Sequence, residues 1–322
     1  MTLGERRTLL FVCDLDGTLL DRDGHWPKDE LDDLAQEVTR AGFRAEFWLA
    51  TGRSPHDCVR LLTNGPKCME TVRAICFDGA LEVIIRQGRV VETLSETLLG
   101  PKVIVGPAFK ILRRCVGVKG DFLVFSDTRA GSKVFIYSSI DEPPFCQLAQ
   151  AAEDPRPVEI VPTLGDLHRA AASVGVRAVS WFGKRTQLPS EKDDVMVRAK
   201  KAFSCLLYPE VRFPGLLQGF AWLDLVHPKV SKGSMVASSL GGRNDFTIIG
   251  LGNGTNDLSY LQIAEVAICP SDAEPEVKGI VDLVLPSPAG PEFVSSVWSA
   301  ARDRIPPAQP LYKAPKTGVQ QS

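Results

Sequence analysis

The chain has 322 residues, of which 44% are apolar and 24% are charged, and its formal net charge is -2 at pH 7. These values are ordinary for a globular protein, and the small net charge gives no indication of a nucleic-acid or anionic-membrane partner. The apolar runs are short, so we expect no membrane-spanning segment. The eight cysteines form no CxxC pair and several lie in apolar runs, which is typical of reduced thiols in a cytoplasmic protein.

The first part of the chain alternates between strand and helix patterns. The run LLFVC at residues 9–13 is apolar throughout, which is typical of a strand buried on both faces. Helical spacing predicts a helix over residues 28–40. Strands are expected over 44–50 and 72–77, with a helix over 55–63 between them that Ser54 caps. This alternation predicts right-handed βαβ units and therefore a parallel sheet.

The middle of the chain has a different pattern, which predicts an inserted α+β unit over residues 83–219. Strands are expected there over 122–125, 133–138, 158–161 and 178–182, and helices over 144–152, 166–174 and 191–205. A stretch of this length without structure of its own is uncommon, so we interpret it as a separate domain.

The parallel pattern is expected to resume with a strand over 221–226 and a helix that Lys232 opens and that runs to about residue 240. Further strands are predicted over 246–251, 266–269 and 282–285, with helices through residue 265 and over 291–304. The sequence thus predicts an α/β fold, with a doubly wound parallel-sheet core from residues 1–82 and 220–305. The proline-rich residues 306–322 are expected to form a flexible tail.

Polar side chains follow four of the predicted core strands or open the helix after one. They are Asp14 and Asp16, Thr51, Lys232, and the group Asn253, Asn256 and Asp257. In open α/β sheets the ligand site lies beyond the carboxyl ends of the strands, so we expect these groups to converge. A carboxylate nucleophile, a hydroxyl, a cation and a further acid suit phosphoryl transfer through an aspartyl-phosphate. Two close carboxylates also favour a divalent cation such as Mg²⁺.

These residues lie in four motifs, DLDGT, ATGR, SKG and GNGTND, which resemble in order the motifs of the haloacid dehalogenase-like phosphohydrolase superfamily. The resemblance implies a Rossmann-like core and an Mg²⁺-dependent phosphatase. Asp14 then matches the nucleophile and Asp16 the general acid/base. The implied phosphate-binding residues are Thr51, Gly52, Lys232, Asn256 and Arg53. The implied metal ligands are Asp14, Asp16 and Asp257, with Asn253 acting through water.

The position of the inserted unit refines the resemblance. The segment between Asp16 and Gly52 is too short to hold an extra domain, whereas the segment between Arg53 and Lys232 contains the predicted α+β unit. This arrangement resembles the C2-capped, Cof-type sugar-phosphate phosphatases, in which the cap confers specificity. The segment LGNGTNDLSYL and the tripeptide Gly290-Pro291-Glu292 are similar to mannosyl-3-phosphoglycerate phosphatases.

One position departs from the family pattern, and two others allow alternative assignments. The family usually has Asp where this chain has Asn253, so we expect weaker metal binding with activity retained. Lys229 competes with Lys232 for the phosphate, and we favour Lys232 because Gly233 follows it and the helix begins there. Arg53 is equally compatible with a ligand contact and with a surface ion pair.

The resemblance leaves three functions open. The favoured one is a phosphatase acting on a small phosphorylated metabolite, either a sugar phosphate or a glycosyl-3-phosphoglycerate. A phosphosugar mutase would use the same aspartyl-phosphate but return the phosphoryl group to another hydroxyl. A non-catalytic phosphosugar-binding or regulatory protein is the alternative of another class, because a fold alone does not guarantee activity.

Overall fold

A computed structural model describes residues 7–99, 102–116, 119–128, 131–140, 143–151, 156–188, 194–208, 219–243 and 245–305. The predicted tail, residues 306–322, lies outside these ranges. No described helix is both long and apolar enough to cross a membrane. The cysteines are free thiols.

The described strands form two sheets. The larger has eight strands in the order β14-β13-β12-β1-β2-β3-β4-β5, and the smaller has six in the order β10-β11-β9-β6-β7-β8. The strands of the larger sheet are β1 (Thr8–Cys13), β2 (Arg44–Ala50), β3 (Thr71–Cys76), β4 (Leu81–Arg86), β5 (Arg89–Glu96), β12 (Phe246–Leu251), β13 (Val266–Cys269) and β14 (Leu283–Val284). Those of the smaller sheet are β6 (Asp121–Thr128), β7 (Gly131–Ser138), β8 (Val158–Ile160), β9 (Ala178–Lys184), β10 (Ser204–Tyr208) and β11 (Phe220–Val226).

Helices cover both sheets. They are α1 (Lys28–Arg40), α2 (Pro55–Thr63), α3 (Lys102–Val116), α4 (Pro144–Ala151), α5 (Leu164–Ser173), α6 (Asp194–Ala202), α7 (Lys232–Leu240), α8 (Leu258–Leu261), α9 (Pro275–Lys278) and α10 (Pro291–Ala301). Alternate residues of β1 enter two different cores: Leu9 and Phe11 pack with α1 and α10, and Leu10 and Val12 pack with α7 and α8. This two-sided burial explains why the strand is apolar throughout. The chain therefore has the predicted α/β fold with a doubly wound core and a cap.

The predicted core elements agree closely with the structure. The helix over 28–40 and the strands over 44–50 and 246–251 have the expected bounds. Ser54 caps α2 as predicted, since its hydroxyl accepts a hydrogen bond from the backbone N–H of Asp57 and the Asp57 carboxylate bonds back to the Ser54 N–H.

One prediction of strand placement was wrong, and one hairpin was not predicted. Phe220–Val226 is a strand, but it pairs antiparallel with β9 and β10 in the smaller sheet rather than resuming the parallel core. Leu81–Glu96 forms the unpredicted hairpin β4–β5, which extends the core sheet antiparallel to β3. The burial of β11 alternates along its first residues, a pattern typical of a strand whose two faces meet different surroundings.

We propose that the core comprises residues 7–96 and 227–305 and that the cap comprises residues 97–226.

Arg177 ties the cap to the core. Its side chain is fully buried, and Nη1 donates to the carbonyl oxygens of Ala80 at 2.7 Å and Thr97 at 3.1 Å. Nη2 lies 3.2 Å from the Glu96 carboxylate. Ala80 and Thr97 lie on either side of the β4–β5 hairpin, so one guanidinium holds the segment that leads into the cap.

Candidate active site

The centre of the site is the side chain of Lys232, the first residue of α7. It is fully buried, and Nζ donates to Oδ1 of Asp14 at 2.6 Å and to Oδ1 of Asp257 at 2.7 Å. Asp14 directly follows β1 and Asp257 follows β12, so the carboxyl ends of two adjacent strands meet at this ammonium group. Oδ1 of Asp78 lies 3.8 Å from the same Nζ. The structure thus brings together the predicted Asp14, Lys232 and Asp257, whereas Lys229 is exposed.

Two glycines allow these segments to approach one another. A Cβ on Gly233 would lie 2.1 Å from the carbonyl oxygen of Ser259, so only glycine lets α7 pack against the loop that carries Asp257. A Cβ on Gly79, whose φ is +108°, would lie 2.2 Å from the carbonyl oxygen of Ser231. Both contacts fix the position of Lys232 at the start of α7.

Negative charge is in excess around Lys232. Burial and the nearby Asp257 carboxylate raise the pKa of Asp14 to about 8, although Lys232 acts in the opposite direction. Burial opposes the charge on Lys232, but the carboxylates of Asp14 and Asp257 raise its pKa above the ordinary value. This is the electrostatic environment that a divalent cation would neutralise.

Asp16 and Arg53 form a bidentate ion pair. Nε of Arg53 donates to Oδ2 of Asp16 at 2.8 Å and Nη2 donates to Oδ1 at 2.7 Å. Burial opposes ionisation of Asp16, but the charge and hydrogen bonds of Arg53 outweigh it and lower the pKa of the carboxyl. About half of the Asp16 side chain is exposed, compared with 8% of the Asp14 side chain. The two predicted carboxylates thus differ in environment: burial favours the protonated form of Asp14, whereas Arg53 favours the ionised form of Asp16, the form in which Asp16 can act as a base.

The loop after β12 is organised by Asp257. Its Oδ2 accepts hydrogen bonds from the backbone N–H groups of Asn253 at 2.9 Å and Gly254 at 3.0 Å, and its Oδ1 accepts from Lys232. Asn253 Oδ1 accepts from the hydroxyl of Thr18 at 3.0 Å. The oxygens of Asp257 are thus used by the protein itself, whereas the Asn253 side chain lies beside the turn that follows Asp16.

Asp78 is a site residue to which the sequence analysis assigned no role. Its Oδ1 accepts a hydrogen bond from Nδ2 of Asn256 at 2.9 Å. The amide that was predicted to bind phosphate is therefore already hydrogen-bonded to Asp78. Phe77 and Asp78 both have positive φ, 49° and 53°, a left-handed conformation that costs energy in residues with a side chain. The backbone N–H of Asp78 donates to the carbonyl oxygen of Thr51, so this turn also holds the predicted hydroxyl. A signal existed in the sequence, since the turn Asp78-Gly79-Ala80 ends a predicted core strand.

Thr51 ends β2 and is fully buried, and its Oγ1 accepts a hydrogen bond from the backbone N–H of Arg53. Gly52 lies between them in the same turn.

A cluster of possible metal-binding groups among the described residues consists of Asp21, Asp23 and His25. Oδ1 of Asp21 already accepts hydrogen bonds from the backbone N–H groups of residues 23 and 25. The cluster is a loop-closing turn, separate from the predicted metal site.

Comparison with known proteins agrees with this geometry. Residues 11–98 match the model of the family described as haloacid dehalogenase-like hydrolase. The match covers 88 of the 322 residues, and this segment is similar to that family. The matched residues include Asp14, Asp16, Thr51 and Asp78. No curated protein matches its sequence.

Solved structures show the same fold at low identity. TM0651 from Thermotoga maritima is 20% identical with a TM-score of 0.61, over 91% of this chain and 97% of that one. BT1666 from Bacteroides thetaiotaomicron, described among phosphatases of the superfamily, is 18% identical with a TM-score of 0.58, over 94% and 96%. The subclass IIB sugar phosphatase BT4131 is 16% identical with a TM-score of 0.60, over 92% and 100%. Each of these likenesses covers more than nine-tenths of this chain, so the shared fold includes both sheets.

Asp224 of β11 lies in the cap near this site, and it leads to a prediction of pH dependence. Burial raises the pKa of Asp224 to about 7, with the Asp78 carboxylate acting in the same direction against hydrogen bonds from Ser180 and Trp222. Because the folded pKa exceeds the unfolded one, the contribution of Asp224 to stability falls as pH rises from about 4 to about 7.

We therefore expect Asp224→Asn to gain stability relative to the wild type across this interval, by about 2 kcal/mol in total. Urea unfolding at several pH values measures the difference. A difference between the two proteins that stays constant from about pH 4 to about pH 8 would contradict the assignment.

Proposed function

We propose that the protein is a phosphatase that hydrolyses a small phosphorylated metabolite through an aspartyl-phosphate on Asp14. The observation that carries the proposal is the contact of the Lys232 ammonium with Asp14 at the carboxyl ends of β1 and β12. The family match and the phosphatases among the structural neighbours support it.

Each step has a residue placed for it. Asp14 attacks phosphorus, while Lys232 and the hydroxyl of Thr51 stabilise charge on the phosphoryl oxygens. Asp16 protonates the leaving oxygen and later takes a proton from the attacking water. Arg53 holds Asp16 in position, and we propose that this ion pair is the main role of Arg53. Contact with the phosphate through Arg53, Gly52 and Asn256 is a secondary proposal.

The donor set fits Mg²⁺, which prefers carboxylate and carbonyl oxygens. Asp14 and Asp16 would hold the ion, with Asn253 ligating it directly or through water. When bound, the ion supplies positive charge that offsets repulsion between Asp14 and the phosphate. Asp257 accepts hydrogen bonds from Lys232 and from two backbone N–H groups, and we propose that it positions Lys232 and the loop. Like Asp16, whose two oxygens accept from Arg53, it keeps lone pairs that could ligate the ion.

The direct test is release of inorganic phosphate from a panel of sugar phosphates and glycerate derivatives, with and without Mg²⁺. Product analysis separates hydrolysis from mutase activity, since a mutase yields isomerised phosphosugar rather than free phosphate. Binding of a phosphosugar without turnover at any Mg²⁺ concentration would favour the non-catalytic alternative.

Asn253 should weaken the Mg²⁺ site because it lacks the charge of an aspartate. We expect Asn253→Asp to lower the half-saturating Mg²⁺ concentration about tenfold while turnover at saturation changes little. Activity measured against Mg²⁺ concentration tests this, with Asn64→Asp as a matched control on the exposed end of α2. An unchanged Mg²⁺ requirement in Asn253→Asp would contradict the prediction.

A further inference from the structure

One face of the six-stranded cap sheet lies against the core, and we call it the roof face. Residues alternate along the strands, so that Phe122, Trp181 and Leu223 pack under the cap helices while their neighbours point towards the core. The described apolar members of the roof face include Leu123, Phe125, Ile136, Ala178, Phe182, Phe220, Trp222 and Val226. A sheet face with this composition would normally be a closed apolar interface.

Ser180 and Asp224 interrupt this apolar face. They are direct cross-strand partners on β9 and β11, and the alternation places both on the roof face. The hydroxyl of Ser180 and the indole N–H of Trp222 both donate to Oδ1 of Asp224. Among the described residues, no donor contacts the second oxygen, Oδ2. Asp224 is thus oriented on one side and available to accept hydrogen bonds on the other.

A continuous line of contacts connects Asp224 to the catalytic cluster. Trp222 lies beside Phe125, with ring centroids 5.8 Å apart, and Phe125 contacts Phe77 of the core at 6.2 Å. Phe77 adjoins Asp78, whose carboxylate lies 3.8 Å from the Lys232 ammonium. Asp224 therefore lies on the same face of the cap sheet as Phe125, which contacts Phe77 beside Asp78.

The chemistry of this patch favours one class of leaving group. A carboxylate that accepts hydrogen bonds from hydroxyls, next to the partly exposed ring of Trp222, matches the polar edge and apolar face of a sugar. A second carboxylate on the substrate would be repelled by Asp224. The guanidinium of Arg156 also lies over Phe125, at 5.3 Å, so the roof face carries one cation as well.

We propose that Asp224, oriented by Ser180 and Trp222, is the specificity-determining residue of the cap and accepts hydrogen bonds from the hydroxyls of a neutral polyhydroxylated leaving group. This proposal rests on the proposed phosphatase function. It assigns the substrate to the sugar phosphates rather than to the glycosyl-3-phosphoglycerates, whose leaving group carries a carboxylate.

The test compares kcat and KM of the wild type and Asp224→Asn on hexose and pentose phosphates and on phenyl phosphate, which has no hydroxyl. We expect Asp224→Asn to raise KM for the best sugar phosphate about 10- to 100-fold, as loss of hydrogen bonds to a charged group does, with kcat less affected. Hydrolysis of phenyl phosphate should stay within about twofold. Glu159→Gln is the matched control, since Glu159 lies on the same sheet opposite Phe135, away from the roof face.

Ser180→Ala provides a second variant that does not depend on how well Asp224→Asn folds. It removes one of the two donors that orient Asp224, so a smaller loss of several-fold on the same sugar phosphate is expected. An equal loss on sugar and phenyl phosphates in both variants would overturn the assignment while leaving the phosphatase function standing, as would a wild type that prefers phenyl phosphate. If the wild type hydrolyses none of these esters, the proposed function fails and this assignment fails with it.

Discussion

Asp14→Asn should lower phosphate release by at least about 10⁴-fold, because a neutral amide cannot replace the carboxylate that attacks phosphorus to form the acyl phosphate. The fold should remain intact. Asn still accepts the hydrogen bond from Lys232, and the change removes one charge from a cluster with too many carboxylates. We therefore expect the thermal unfolding midpoint without divalent cations to be equal to or higher than that of the wild type.

The measurement uses a generic phosphate ester with excess Mg²⁺, and Asp33→Asn on the exposed face of α1 serves as the control with full activity. Acid quenching during turnover of a radiolabelled substrate adds a direct readout, because label should remain on the wild-type protein and not on Asp14→Asn. Hydrolysis by a clean preparation of Asp14→Asn would refute the nucleophile assignment. An inactive wild type that still binds the ester would instead favour the non-catalytic alternative.

The residues that the sequence predicted well are those whose signal is local. Asp14 follows a continuous apolar strand, Ser54 precedes a proline at the first turn of α2, and Lys232 precedes a glycine at the start of α7. The topology of a parallel sheet then brings strand ends to a common edge without further information. Asp14 and the loop after β12 meet for this reason. Lys232 does not follow a strand of the core sheet and reaches them because α7 packs closely against Ser259 at Gly233.

The features that were missed depend on pairing between distant segments. Nothing in residues 220–226 specifies which of the two sheets contains this strand, since a long segment separates it from its partner β9. The ion pair between Arg53 and Asp16 was one of two open alternatives, because either outcome suits an arginine after a strand. Asp78 and Asp224 belong to no motif. Asp78 gains its role from contacts with Asn256 and Lys232, which are distant in sequence, and Asp224 gains its proposed role only when the cap packs on the core.

Lys232 should be essential both for activity and for the stability of the site. Lys232→Met leaves Asp14, Asp78 and Asp257 buried together without their shared cation, and an uncompensated buried charge typically costs about 3–5 kcal/mol. We expect a loss of that size in the free energy of unfolding near neutral pH. Phosphate release should fall by about a thousandfold or more, since the cation that stabilises phosphoryl charge is also lost.

Lys229→Met is the matched control, because Lys229 has the same chemistry three residues earlier but is exposed, and it should resemble the wild type in both measurements. The stability deficit of Lys232→Met should shrink as pH falls towards about 5. A carboxyl group whose pKa is higher in the folded than in the unfolded protein binds a proton more readily when folded. Its unfavourable contribution to the free energy of unfolding therefore grows as pH rises and becomes smaller as pH falls. Added Mg²⁺ should restore part of the lost stability if the folded variant still binds it. Equal stability of the two variants near neutral pH would show that Lys232 does not balance the charge of the three carboxylates. Equal activity would show that another cation binds the phosphate.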